Sequence, residues 1–365
     1  MKLLSQKTLI VAIIVLVAIV ATVIYTQVHP PKFEKSNKKE NAAASLAKIK
    51  VGYSIQGFDS VPVIVAYEKG YFRDQGLDVE LIQVSSKDAA VALASGQLDI
   101  VVIGPPRVYN PIEKGAPIRM LSPIASAPTK LFIRPDSNIN SFKDLEGKAV
   151  SYGTPGGTKE LFLRYILKKE NTDLKKINFV DMDSQYEPSM LMEKKKIDAA
   201  LIQNVNEIDI AKKLGAVIMP AWQTNGYDTS LIGLPVSTIS SIIAANTDYL
   251  NGHEENARSF FKALIEAHRY LKEHQEESSA MIAKYFKDNS AGATDMKPDQ
   301  FENLVKEGRQ SYSLWEDTSI IVEMARIDYE LGKIGHPLAL NEMYDFRFKD
   351  MLESAQNEIY GTTKN

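Results

Sequence analysis

The chain contains no cysteine, which excludes disulfides, thiolate zinc sites, cysteine nucleophiles and a lipid carried on an N-terminal cysteine. Charge of one sign is missing too. With 43 basic and 46 acidic side chains the net charge is −3, too balanced to track a nucleic-acid backbone. Histidine is scarce: His29 lies near the N-terminus, and His253, His268, His274 and His336 lie in the last third. His268 and His274 do not share a helical face, which argues against a metal pair. No G-x-S-x-G, H-E-x-x-H or calcium-loop pattern occurs. Little is left for catalysis, and nothing calls for a cofactor or a metal.

One long apolar run is present, "LIVAIIVLVAIVATVIY" from Leu9 to Tyr25, preceded by Lys2 and Lys7. As a helix it would span about 25 Å, close to the hydrocarbon thickness of a bilayer. A cleaved signal usually has a shorter apolar core followed at once by a small-x-small site. The nearest alanine cluster, "NAAASLA", starts only at Asn41. Residues 1–30 are therefore expected to be a membrane-anchoring helix, with a cleaved signal, and so secretion, as the alternative. Residues 31–47, rich in proline, lysine and polar side chains, are expected to form a flexible tether.

From Lys48 onward, short β-branched runs alternate with helical periodicity, the pattern of sheets fed by helical crossovers. "IKVGYSI", "VPVIVAYEKG", "LDVELIQV", "SKDAAVALASG" and "LDIVVIG" read as strand, helix, strand, helix, strand. The same series recurs: "KAVSYG", a glycine loop, "KELFLRYILKK", "INFVDM", "EPSMLMEKKK", "IDAALIQ". Tyr53 and Tyr152, Gly57 and Gly156, and Asp99 and Asp198 each lie 99 positions apart. Identity between the halves is near chance, so the order of elements carries the repeat. Two proline-punctuated extended stretches, near residues 118–137 and 229–250, read as crossings between lobes, a layout that permits hinge closure. Lobe 1 is expected to comprise 48–127 and 240–358, the latter mostly helical, and lobe 2 to comprise 128–239. A ligand belongs between them, at the strand carboxyl ends.

The loop "YGTPGGTKE" fails as a nucleotide P-loop, since Thr158 precedes Lys159 and Glu160 follows it. It still offers backbone N–H groups at a helix start, which suit an anionic or polar ligand; the plain alternative is a tight turn permitted by its glycines. Thr154, Gly156, Gly157 and Thr158 are candidates on that ground. In the first half Ser54, Gln56, Phe58 and Asp59 face the same space, with helix capping the other role open to Asp59. Gly104 and Pro105 follow the third strand, with Asn204 their counterpart. Trp222, Tyr227 and Asp228 offer an aromatic wall with a polar rim. Ser85 and Ser86, together with Tyr186, are further candidates. Arg107 is the one arginine in an evident cleft loop, which weighs against a strongly charged ligand.

The runs "PVIVAYEKGYFRDQGLDVEL", "AVALASGQLDIVVIG", "SFKDLEGKAVSYGTPGGT" and "NARSFFKALIEAHRYL" resemble the ABC-transporter substrate-binding proteins for nitrate, sulfonate and taurine, the SsuA/THI5-like family. The likeness runs from Lys48 to about Leu352. It implies an α/β type II periplasmic-binding-protein fold of two lobes, monomeric, that closes on a small solute (sulfonate, nitrate, taurine-like or pyrimidine-type) and delivers it to an ABC permease and its ATPase. With the N-terminal helix, it implies a place at the extracytoplasmic face of the cell membrane. A related branch of thiamine-pyrimidine synthases carries a cysteine-rich motif that this chain lacks, so a binding protein rather than an enzyme is expected. A tethered solute sensor is the remaining alternative.

Overall fold

A computed structural model describes residues 46–54, 58–126, 129–182, 188–202, 211–219, 239–289 and 312–361. The anchor segment and nearly all of the tether lie outside these residues. Among the described residues no helix is long and apolar enough to cross a membrane. Ala47, read from the sequence as the end of the tether, is the first residue of a strand and pairs with Leu77.

The first half runs β1 (Ala47–Tyr53), a 3-10 turn at Phe58–Ser60, α1 (Val61–Glu68), α2 (Tyr71–Asp74), β2 (Leu77–Gln83), α3 (Ala89–Ala94), β3 (Ile100–Ile103), α4 (Pro106–Glu113) and β4 (Ile118–Ser126). The second runs β5 (Lys130–Ile133), β6 (Ala149–Gly153), α5 (Thr158–Lys169), β7 (Asn178–Asp181), α6 (Pro188–Glu193), β8 (Ala199–Ile202) and β9 (Val217–Ile218). Then come β10 (Ile239–Asn246), α7 (Thr247–Gly252), α8 (Glu254–Glu273), α9 (Gln275–Asn289), α10 (Ser319–Glu330), α11 (Leu340–Met343) and α12 (Lys349–Tyr360).

Among the described residues the strands form two five-stranded sheets, ordered β2-β1-β3-β10-β4 and β7-β6-β8-β5-β9. Their parallel cores repeat in register: Val51 pairs with Ile100 and Gly52 with Val101, while Val150 pairs with Ala199 and Ser151 with Ala200, each a step of 99 positions. Asp99 and Asp198 repeat a role as well. Asp99 accepts the Lys50 N–H at 2.7 Å, and Asp198 accepts that of Ala149 at 2.8 Å. Each carboxylate thus pins the strand beside it.

The sheets are mixed rather than wholly parallel, and the crossings are the reason. β10 begins with Ile239 beside Ser126 at the carboxyl end of β4, and β5 begins with Lys130 beside Ile202 at the end of β8. A strand that enters where the parallel strands finish must run against them. β10 therefore delivers its first residues to the rim where ligands bind in such sheets.

The first sheet is covered by helices apolar enough to be buried almost all round. α1 buries Val61 through Ala66, as a core helix does, and its proline falls in the first turn, where no N–H is needed. α8 shows a clean apolar stripe and lays it on α1 and α2, with Phe260 stacked on Phe72 at 5.2 Å. The C-terminal helices pack mainly on the first sheet, while α10 also touches α5 of the second.

Candidate functional site

A cavity of about 140 Å³ lies where the carboxyl ends of both sheets meet. The first half contributes Ser54 after β1, Asp59 and Ser60 before α1, Ser86, the end of β3 to Gly104, and Arg107. The second half contributes Gly153, Thr154, Gly157, Thr158 and Lys159, and the start of β10 adds Ser240 and Ser241.

The glycine loop owes its path to two left-handed positions, Gly153 at φ +92° and Gly156 at φ +76°, which a side chain would strain. Its bareness also admits a cation. A Cβ on Gly157 would come within 3.3 Å of Arg107 Nη2 and one on Gly156 within 3.5 Å of Nη1. The guanidinium donates from Nη2 to Thr154 Oγ1 at 2.9 Å. Burial pulls the Arg107 pKa down and the Glu160 carboxylate pushes it back up. Gly156 corrects one expectation, because its N–H is not free for a ligand: it donates to Glu160 Oε2 at 2.6 Å.

Asp59 does not cap α1. The N-cap is Ser60, which makes no side-chain cap bond, and Asp59 instead accepts the Ser240 hydroxyl at 3.1 Å and the Ser241 hydroxyl at 2.7 Å. Burial raises the Asp59 pKa, opposed by the two serines and by the Lys159 charge. Burial lowers that of Lys159, opposed by Asp59. A carboxylate and an ammonium thus face one another from the two halves, each relieving part of the other's desolvation. Thr158 adds a direct tie, its hydroxyl donating to Ser240 O at 3.2 Å.

Of the residues expected from sequence, Ser54, Asp59, Gly104, Thr154, Gly157 and Thr158 line the cavity, and Gly156 backs it. Ser85 and Pro105 do not. The Ser85 hydroxyl is taken by Asp88 at 2.5 Å, and its neighbour Ser86 lines the cavity instead. Pro105 is buried at the N-cap of α4. Phe58 gives its backbone to the 3-10 turn, its side chain being outside the described set. Gln56, Tyr186, Asn204, Trp222, Tyr227 and Asp228 lie outside the described residues.

Sequence reasoning missed Lys159, Ser240 and Ser241, and undervalued Arg107. With them two cations, Arg107 and Lys159, line the cavity beside the Asp59 carboxylate. The serine pair carries no local signal of its place: it reaches the rim only because the crossing becomes an antiparallel strand that begins there.

Comparison with known proteins gives the same architecture. A protein of Haemophilus influenzae named "Putative thiamine biosynthesis protein" is 26% identical over 251 residues, 66% of this chain and 75% of that one. A Brucella abortus protein named "Putative binding protein" is 25% identical over 310 residues, 83% of this chain and 92% of the other. The solved structure of the alkanesulfonate-binding protein SsuA from Xanthomonas axonopodis pv. citri, bound to MOPS, superposes with a TM-score of 0.61 at 14% identity, over 82% of this chain and 98% of that one. The description "NMT1/THI5 like" matches residues 57–278, more than half of the length. With its two mixed sheets in a periplasmic-binding-protein fold, the chain belongs to the NMT1/THI5-like family.

Proposed function

We propose that this chain is the extracytoplasmic solute-binding component of an ABC importer, held at the membrane by residues 1–30, and that it captures a small polar solute by closing its two halves over the cavity. One observation carries the reading: both halves and the returning strand β10 bring opposed charges and hydroxyls to a single cavity. A ligand touching both halves binds their closed arrangement better than any open one, and that difference drives closure. No chemistry on the solute is needed.

Arg107 and Lys159 suit an anionic group, sulfonate or nitrate, and the serine and threonine hydroxyls suit its oxygens. Asp59 suits a donor such as an amine or the exocyclic amino group of a pyrimidine. A solute carrying both, taurine-like or pyrimidine-type with an acidic substituent, satisfies the whole lining. Calorimetric titration with taurine, an alkanesulfonate, nitrate and an aminopyrimidine tests the reading. It expects a saturable one-to-one heat from at least one of them, weakened by added salt. No heat from any, together with no co-purified small molecule in native mass spectrometry, would refute it.

The name of the Haemophilus influenzae relative favours a second reading, an enzyme of thiamine biosynthesis on the same fold. Intact-mass measurement after incubation with vitamin precursors separates the two. A consumed side chain or a released product supports the enzyme, and an unchanged mass supports binding.

A further inference from the structure

The glycine turn of the second half is gripped by the first half from two sides. Inside the cavity the hold is Arg107, through Thr154 Oγ1 at 2.9 Å. Outside it is Lys333, in the turn after α10, whose Nζ lies 3.3 Å from Glu160 Oε2. That same oxygen accepts the Gly156 N–H at 2.6 Å. One carboxylate therefore joins the cavity loop to a cation on the outer surface.

The two cations are mounted on one piece of the first half. Arg107 sits in the first turn of α4, and the same helix fixes the segment that carries Lys333. Asn110 donates from Nδ2 to Lys333 O at 3.2 Å, and Glu113 Oε1 accepts the N–H groups of Gly335 at 2.5 Å and His336 at 2.9 Å. The contacts form a ring: glycine turn, Arg107, α4, the 333–336 segment, Lys333, Glu160, and the glycine turn again. Neighbouring ties between α5 and α10 support its outer edge, Arg326 Nη2 to the Tyr165 hydroxyl at 3.1 Å and Lys168 Nζ to Glu330 O at 2.6 Å.

We infer that Glu160 and Lys333 are an outer clasp that holds the two halves together over the cavity and positions the glycine turn, so that Lys333 is a positioning residue for capture although it does not line the cavity. The word capture rests on the function proposed above; the clasp itself concerns only how the halves sit. The environment of Glu160 favours this role over that of an ordinary surface pair. Its side chain is 8% exposed, against 28% for Glu330 in the neighbouring pair with Lys169 at 3.6 Å. A carboxylate so enclosed loses more when a partner leaves. It also keeps Arg164 Nε at 2.6 Å, within its own helix, after Lys333 is gone. Lys333→Met therefore removes this one link between the halves without stranding the Glu160 charge, and the variant folds.

The absence of cysteine makes the test clean. Val91→Cys on α3 and Val217→Cys on β9 fall at sites 69% and 55% exposed, one in each half. Nitroxide labels there give the distance distribution between the halves by pulsed dipolar spectroscopy, without added solute. Lys333→Met should move the ratio of joined to separated populations about fivefold toward separation. Lys333→Arg, which keeps the cation, should restore the parent distribution. Superimposable distributions for parent and Lys333→Met would overturn the clasp and leave the proposed function untouched. A shifted distribution in a protein that binds no solute would keep the clasp and refute the function. Circular dichroism melting of each variant confirms that both compare folded protein.

Discussion

Replacing Asp328 by asparagine should stabilise the protein at alkaline pH and leave it almost unchanged in acid. Asp328 lies on α10, 2% exposed, and its Oδ1 has no hydrogen-bond partner among the described residues. Burial pushes its pKa from 3.8 up to about 7, Lys333 pulling the other way and Glu160 adding to the rise. Well below its ordinary value of 3.8 the group is protonated whether the chain is folded or not, and costs nothing. As pH climbs toward 7 the unfolded chain ionises while the folded one keeps its proton, so stability falls. Above 7 the folded chain carries the whole cost, ~4 kcal/mol. Asparagine has no charge to desolvate, so its advantage should widen along the same window. At about 1.5 °C per kcal/mol for a unit of this size, the ceiling at pH 8 is ~6 °C. Its amide brings donors that also want partners, which lowers the gain below that ceiling. Calorimetric melting of both proteins from pH 4.5 to 8.5 checks this, and taking the difference cancels the titrating groups that do not interact with Asp328. Parallel curves would show that Asp328 is ionised at no cost, through a partner the geometry does not provide.

Three further outcomes follow from the same contacts. Gly156→Ala forces a side chain to φ +76° and sets its Cβ 3.5 Å from Arg107 Nη1; solute affinity by calorimetry should fall about tenfold for a melting loss equivalent to ~1–2 kcal/mol. Arg107→Met should weaken an anionic solute by roughly a hundredfold, with a shallower salt dependence of binding, whereas a neutral solute should lose far less. Gly52→Ala should cost ~1–3 kcal/mol by overpacking, read as a lower melting temperature with solute affinity kept, because its Cβ would sit 2.5 Å from Leu98 Cδ1 and 3.0 Å from Val101 Cγ2.

The Gly52 position shows why the repeat was legible as order and not as identity. Its counterpart 99 residues on is Ser151, in the same register between the same two parallel neighbours. The second half tolerates a hydroxyl there, bonded from Gly153 N at 3.3 Å, while the first has filled the space with Leu98. Strand pairing constrains backbone spacing, and packing lets each half choose its own side chains. The aspartates recur at both positions with one job, each accepting a backbone N–H of the neighbouring strand. Hydrophobic alternation and turn residues thus gave the strands and their sequence. The antiparallel insertion of β5 and β10 was not readable, since direction within a sheet depends on which end a crossing enters, and no local pattern records that.

The site was legible where one loop contains the reason for its own residues, and illegible where the reason lies across the cavity. Gly153 and Gly156 need left-handed backbone whatever surrounds them, so the turn announced itself. Arg107 beside "GPP" and Lys159 beside "GGT" are ordinary residues in isolation. Their meaning arises only when the halves meet, Arg107 over the bare glycines and Lys159 opposite Asp59. The same logic explains how much charge the cavity holds. A count of arginines in cleft loops treats each loop alone, but a buried carboxylate and a buried ammonium from opposite halves make each other tolerable, so the cavity holds more charge than either loop could carry by itself. A solute that enters such a site must replace part of that compensation, its acid toward Arg107 and Lys159 and its donor toward Asp59, or leave a charge stranded. Discrimination against solutes that lack one of the two groups follows from this without any steric exclusion.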